Sequence, residues 1–292
     1  MIDSTILIKI PNKHIMSLDK AKTPIFWLSL SSCFCILLFS CHSSNSSSVS
    51  DVKKMANSKE QLKIEYIAHA SFLLTYRDHT LLLDPFADSV WISYTFPRNI
   101  KADAIFSTHP HYDHDGGLFR DLKPYWESEI AFYQDPGNYE IGNFRIQGIK
   151  GKHCEPYGYE FDQKNTIFIF EVADLRIAHW GDNEPINDAL AEQLTDIDVL
   201  MLPIDDSYHI LKADETAEVI NRINPKVIIP MHYKITDLEP TPDKPKNLET
   251  IDKYIGVRQN VIKLEGNKKE ITRSDLPSSQ EYWVFKHSPL VK

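Results

Sequence analysis

From Leu62 onward the chain is a succession of short apolar runs separated by polar breaks. Residues 62–67, 71–76 and 80–83 read as three successive strands, divided by His69-Ala70 and Arg77-Asp78-His79, and Pro85 stops the third. A further apolar run is Ala104-Ile105-Phe106. Residues 130–133 read as a short strand, and 144–149 alternate apolar with polar as a half-buried strand does. Residues 166–172 and 175–180, joined by Ala173-Asp174, predict a hairpin. Residues 199–203 form another buried strand, and 227–230 are so apolar that both faces must be covered. Helical expectations fall on 118–122, on a segment from Ile186, on 213–223 with Ala217, Val219, Ile220 and Ile223 as its apolar face, and on 248–255. The proline-rich 239–245 predicts a surface loop or lid, and residues from Asn260 add a strand or two and a tail.

The densest chemistry follows 104–106. Ser107-Thr108-His109-Pro110-His111-Tyr112-Asp113-His114-Asp115-Gly116-Gly117 places four metal-ligating side chains within six residues. In extended backbone, residues two apart point the same way, so His109 and His111 can hold one ion as neutral imidazoles. Asp113 and His114 follow a turn and are aimed at a second position. Two cations about 3.5–4 Å apart can clamp a bridging hydroxide, a nucleophile at neutral pH. The plainer alternatives are a chance cluster of surface histidines and a single structural zinc site. Asp182 and His232 also follow the ends of separate apolar runs, and ligands in sheet proteins gather where strand ends meet loops.

The pattern His109-x-His111-x-Asp113-His114 resembles the hallmark of the metallo-β-lactamase-fold hydrolases. That resemblance implies an α/β architecture, a four-layer αββα sandwich of two mixed β-sheets with outer helices. It implies two divalent metal ions as cofactors. Zinc suits the imidazole-rich donor set, and manganese or iron also fit because carboxylates contribute. By the same resemblance His153 completes the first metal's imidazoles, Asp182 bridges both ions, His232 ligates the second, and Asp84 supports the site by orienting a ligating imidazole. Asp113 and Asp84 are accordingly the carboxylates assigned to catalysis. His179 is expected to be packed rather than ligating, and Cys154 to be a packed small residue.

Ala68-His69-Ala70-Ser71-Phe72 and the stretch from Leu202 through Pro230-Met231-His232-Tyr233 resemble one branch of that superfamily, which includes ascorbate-6-phosphate lactonases and N-acylphosphatidylethanolamine phospholipases. Ala68 departs from the branch's usual glycine. Asp205, Tyr208 and His209 lie where pocket residues of the branch fall, and His69 is a candidate pocket residue, the alternative being the hydrogen-bonded structural role usual for a lone histidine between strands. It implies hydrolysis of a phosphodiester, or of a lactone or other ester. β-Lactam hydrolysis ranks below these, and the alternative of another class is a metal-binding lipoprotein without turnover. His111 stands where redox diiron relatives usually carry Glu, which argues against oxidoreduction.

With 292 residues and 42% hydrophobic content the chain can bury a full core, assigned to residues 61–292. Residues 1–40 stand apart. Lys9, Lys13, Lys20 and Lys22 precede an apolar run from Ile25 to Phe39, as in a secretory signal peptide. Leu38-Phe39-Ser40-Cys41 resembles the lipobox of bacterial lipoproteins, although Phe39 replaces the usual smaller residue. Cys41 is the expected lipidated residue, the protein is expected to be exported and membrane-anchored, and a start at Met16 would give a leader of ordinary length. A Ser-rich tether over 41–60 follows. Of four cysteines only Cys154 lies in the domain, which excludes a disulfide framework there. The net charge of −9, more acidic still without the leader, makes nucleic acid a poor partner, and the branch resemblance implies a small-molecule or lipid-like substrate.

Overall fold

Among the described residues fourteen strands form from residue 60 onward, most of them where apolar runs meet polar breaks. The computed structural model describes residues 60–88, 91–98, 100–118, 130–154, 158–204, 210–238 and 248–292. The leader, most of the tether, the segment after Leu118, the loop carrying Asp205, Tyr208 and His209, and the proline-rich stretch lie outside the described residues. The strands are β1 (Leu62–Ala68), β2 (Ser71–Tyr76), β3 (His79–Leu83), β4 (Ala104–Phe106), β5 (Ala131–Tyr133), β6 (Gly137–Ile141) and β7 (Phe144–Lys152) in the first half. The second half adds β8 (Lys164–Val172), β9 (Leu175–His179), β10 (Val199–Pro203), β11 (Val227–Met231), β12 (Val261–Lys263), β13 (Lys268–Ile271) and β14 (Glu281–Val284).

They make two mixed sheets, one ordered β13-β1-β2-β3-β4-β5 and the other β12-β14-β11-β10-β9-β8-β7-β6. Side chains alternate across a strand, so the parity of buried residues shows what each face touches. In β10, Val199 and Met201 join the core shared with Leu62, Ile64, Phe72 and Leu74 of the six-stranded sheet. Leu200 and Leu202 face the other way, onto a second core. In β8 the same division separates Phe168 and Phe170 from Ile167 and Ile169. The eight-stranded sheet is therefore covered on both faces, as its apolar runs predict. Each buried Leu, Ile or Met contributes about 1.5–3 kcal/mol.

The second core is closed by helices α1 (Asp188–Gln193), which supplies Leu190, and α2 (Ala213–Ile223), which supplies Val219, Ile220 and Ile223. Helix α1 starts where the Asn187 side chain accepts a hydrogen bond from Leu190 N. In α2 the face turned inward includes Thr216, and Ala217 is only half-buried. A short α3 (Ile251–Ile255) places Tyr254 and Ile255 against the first core. The observed architecture is the α/β sandwich of two mixed sheets that the sequence leads one to expect.

Strand direction positions the site. β1 and β3 are both antiparallel to β2, and β3 is parallel to β4, so β1, β3 and β4 run the same way. In the other sheet β7 and β9 are both antiparallel to β8, while β9, β10 and β11 are parallel. The carboxyl ends of β1, β3, β4, β7, β9 and β11 lead directly to His69, Asp84, the 107–117 loop, His153, the Asp182 turn and His232.

Candidate metal centre

Three groups of side chains at these strand ends have ligand atoms within 4.8 Å of one another: His109, His111 and His153; His109, His114 and Asp182; and His69, Asp113, His114 and His232. All seven residues expected to ligate metal are thus brought together, with His69 beside them. The seven are buried except His111, which is half-exposed.

Local hydrogen bonds fix which ring nitrogen each imidazole presents. Asp84 Oδ1 accepts from Thr108 N at 2.7 Å, and Oδ2 accepts from Thr108 Oγ1 at 2.8 Å and from His114 Nδ1 at 2.7 Å. Because the one hydroxyl proton of Thr108 goes to Asp84, His109 Nδ1 donates to Thr108 Oγ1 at 3.0 Å. His153 Nδ1 donates to Cys154 O at 2.8 Å. Each of these three imidazoles therefore turns its Nε2 toward the common centre, as ligating histidines do when their other nitrogen is held by an oxygen. His109 Nε2 lies 3.1 Å from His111 Nδ1.

The carboxylates sit between the rings. Asp182 Oδ1 is 3.3 Å from His114 Nε2, and its Oδ2 is 3.4 Å from His232 Nε2 and 3.8 Å from both His109 Nε2 and His153 Nε2. Asp113 Oδ2 is 3.0 Å from His69 Nε2, 3.4 Å from His114 Nε2 and 3.7 Å from His232 Nε2. Yet His114 Nε2, His153 Nε2 and Asp182 Oδ1 make no hydrogen bond, although all three atoms are buried. A buried polar atom without a partner costs roughly 1–3 kcal/mol. Three such atoms converging beside the buried carboxylates of Asp84, Asp113 and Asp182 fit a cation bound among them.

The titration behaviour agrees. Burial raises the Asp113 and Asp182 carboxyls, but His114 with the neighbouring imidazoles outweighs it and holds both well below the usual range. Burial lowers His114, but Asp182, Asp113 and Asp84 outweigh it and raise this imidazole well above its ordinary value. Positive charge is wanted there. His153 is pushed down to about 4 and His69 to about 3, in each case chiefly by burial, and burial also lowers His109. Neutral imidazoles are the ligating form.

Backbone conformation at the site is unusual. His69 (φ 58°), Asp84 (φ 39°) and His232 (φ 58°) are left-handed, a cost of order 1–3 kcal/mol each that persists only where surrounding structure enforces it. His232 N donates to His69 O at 2.9 Å, and the two rings lie 3.9 Å apart. Before Asp182, Gly181 has φ 62°, and a Cβ there would lie 2.7 Å from Thr108 Cβ and 2.5 Å from Asn165 Oδ1.

Several expectations resolve individually. His69 is fully buried with its Nε2 on Asp113, so it faces the ligand cluster rather than an open surface. Asp84 touches His114 and Thr108, and so acts through them. His179 is packed: its Nε2 donates to Ala70 O at 2.9 Å and its Nδ1 accepts from Gly181 N. Cys154 is buried against Ile210 O. Sequence reasoning missed Thr108, which links Asp84 to His109, and Asn165, whose Oδ1 accepts from Asp182 N at 3.2 Å. Thr108 stands directly beside the motif, which is the one local signal for it. Trp91 and Phe161, against the ligand rings, carry no sequence signal.

The profile of the family described as Beta-lactamase superfamily domain matches residues 63–232. The chain belongs to that family, the metal-dependent hydrolases of the metallo-β-lactamase superfamily. It is 26% identical over 200 residues to a UPF0173 metal-dependent hydrolase of Methanosarcina barkeri, covering 61% of this chain and 85% of that one. Its identity to the corresponding protein of Thermococcus onnurineus is 26% over 223 residues, covering 70% of this chain and 96% of that one. A crystal structure from Thermotoga maritima, described as a Zn-dependent hydrolase of the metallo-β-lactamase superfamily, superposes with a TM-score of 0.56 at 27% identity, over 77% of this chain and 98% of that one.

Proposed function

We propose that the protein cleaves a phosphodiester, or a lactone or other ester, with a hydroxide bridging two divalent cations. The observation that carries this reading is three overlapping ligand groups with Asp182 within 3.8 Å of His109, His114, His153 and His232, and with buried nitrogen and oxygen atoms of His114, His153 and Asp182 left without hydrogen bonds. His109, His111 and His153 would hold one cation and Asp113, His114 and His232 the other, with Asp182 between them. When bound, two such ions supply a hydroxide at neutral pH and polarise the carbonyl or phosphoryl oxygen. By formal count Asp113, Asp182 and the hydroxide leave the centre net positive, suited to an anionic transition state. Zinc best suits five imidazoles and two carboxylates.

The chain's own part is to hold and orient. Asp84 and Thr108 fix the His109 and His114 tautomers, and His69 holds Asp113. Burial excludes water from all ligands but His111. Resemblance to the branch with lactonases and phospholipases supports the choice of substrate class. The test is a parallel assay of a chromogenic phosphodiester and a lactone, before and after chelation and with zinc restored. Metal-independent turnover, or none with either substrate at full metal loading, would overturn the reading.

We further propose that the chain is exported and anchored through lipid on Cys41, on the strength of the basic start, the apolar run and Leu38-Phe39-Ser40-Cys41. Labelled fatty acid should be incorporated by the wild type and not by Cys41→Ala. Equal labelling of both would overturn this.

A further inference from the structure

The ligand cluster is capped by an aromatic ring on each side. Phe161 lies 4.6 Å from His111 with its ring plane at 88° to the imidazole, and 5.6 Å and 5.9 Å from His153 and His109. Trp91 lies 5.7 Å from His69 and 5.8 Å from His232. The two therefore border different ligand groups, Phe161 that of His109, His111 and His153 and Trp91 that of His69, Asp113, His114 and His232. Both residues are half-buried. His111, under Phe161, is also the one ligand that is not buried, which places the opening of the site there.

Phe161 is held firmly. It belongs to a short 3-10 turn, Tyr159–Phe161, entered through Gly158 at φ 87°. Phe161 N donates to Gly158 O at 3.2 Å, and a Cβ at Gly158 would lie 2.9 Å from the His153 ring. The turn is thereby packed onto the imidazole it borders. Tyr159, 62% exposed, extends the apolar surface outward. Exposed aromatic surface beside buried polar ligands is the composition of a small-molecule site, in which apolar walls bind and a few polar groups orient.

From this juxtaposition we propose that Trp91 and Phe161 determine specificity, selecting substrates that carry a flat apolar group, such as an aryl substituent, next to the hydrolysed bond. The inference rests on the hydrolytic reading of the metal centre. In the reaction, water's oxygen bonds to the carbonyl carbon or phosphorus, the bond to the leaving oxygen breaks, and that oxygen takes up a proton from the water. The aromatic rings take no part in the bond changes. They add edge and face contacts to a ring held beside the centre, which distinguishes an aryl group from a methyl group by about tenfold in affinity.

The test is calorimetric binding of phenylphosphonate and methylphosphonate to the full-length zinc-loaded protein, in the wild type and in Trp91→Ala, Trp91→Phe and Phe161→Leu. The readout is the ratio of the two affinities, which does not depend on the fraction of folded or metal-loaded protein. The expected result is a preference for phenylphosphonate of about tenfold in the wild type, retained in Trp91→Phe and reduced to about threefold or less in Trp91→Ala and Phe161→Leu. Equal affinities in the wild type, absence of binding by either phosphonate, or a preference unchanged in both Trp91→Ala and Phe161→Leu would overturn the proposal. Turnover measured on the same samples separates the two readings: hydrolysis without aryl preference removes this inference alone, whereas absent hydrolysis removes the assignment beneath it.

Discussion

Asp84 Oδ2 and His114 Nδ1 lie 2.7 Å apart in full burial, and that contact turns His114 Nε2 toward Asp113 and Asp182. The carboxylate sits at the end of β3 and the imidazole in the loop after β4, adjacent parallel strands, so the pairing is set by strand register.

Replacing Asp84 should weaken metal binding without removing a ligand. Loss of a carboxylate that orients a ligating histidine typically costs roughly 10–100-fold in metal affinity. Asp84→Ala titrated with zinc against a chromophoric chelator should show a drop of that size. An affinity equal to wild type would mean that His114 needs no support.

On the proposed two-ion reading, the two ligand sets should separate by mutation. His153→Ala removes a donor from one set and His232→Ala from the other, so each should lower the zinc content by about one ion per chain while leaving the rest bound. Asp182→Ala touches both and should lower it further. Elemental analysis after dialysis decides, and identical losses in all three would show that the positions do not fill independently.

The metal-free protein should lose stability as the pH falls from about 6.5 toward 4. Burial holds His69 near pKa 3 and His153 near 4, and also lowers His109, so the unfolded chain takes up protons in this window that the folded chain refuses. Each such group contributes up to about 1.4 kcal/mol per pH unit. His114 acts oppositely. Asp182, Asp113 and Asp84 raise it against burial, so its contribution is complete below the ordinary histidine value and is lost as the pH rises through its folded value. That loss lies above this window, so within it the lowered histidines set the slope. The urea midpoint should therefore rise with pH across the window, and a flat or falling profile would contradict the burial of these rings as neutral species.

Gly181→Ala should destabilise by more than about 1 kcal/mol, because alanine is strained at φ 62° and its methyl meets Thr108 and Asn165. Both neighbours support the site, so zinc content should fall together with the urea midpoint. A wild-type midpoint with full zinc would show that the Asp182 turn has room to shift.

Much of the fold was legible because it is written locally. The runs at 71–76, 199–203 and 213–223 became β2, β10 and α2 with those boundaries, since period-two or helical spacing and their breakers all agree. β6 was not legible. Gly137-Asn138-Tyr139-Glu140-Ile141 is a half-exposed edge strand without a strong apolar face, and its pairing with β7 is what makes it extended. Helix α3 is shorter than the apolar spacing over 248–255 suggested, because Leu248 joins the core ahead of the helix and Thr250 forms a bridge with Lys234.

The site divides in the same way. His109 to His114 stand in one motif and could be read directly. His153, Asp182 and His232 were assigned by resemblance and by their place after apolar runs, and the geometry brings them to the same centre. His69 looked like a pocket residue, but only the register of β1 against β2 and the left-handed turn after Ala68 show that it meets Asp113. Thr108, Trp91 and Phe161 were missed because their role depends on which rings the fold sets beside them.

The three histidines and the aspartate at 109–114 are anchored in the six-stranded sheet, whereas His153, Asp182 and His232 hang from the eight-stranded one. A cation held by both sets acts as a rivet through the sandwich. Its binding free energy resists the parting of the layers, so a cell that starves this protein of metal would loosen its scaffold as well as silence its chemistry.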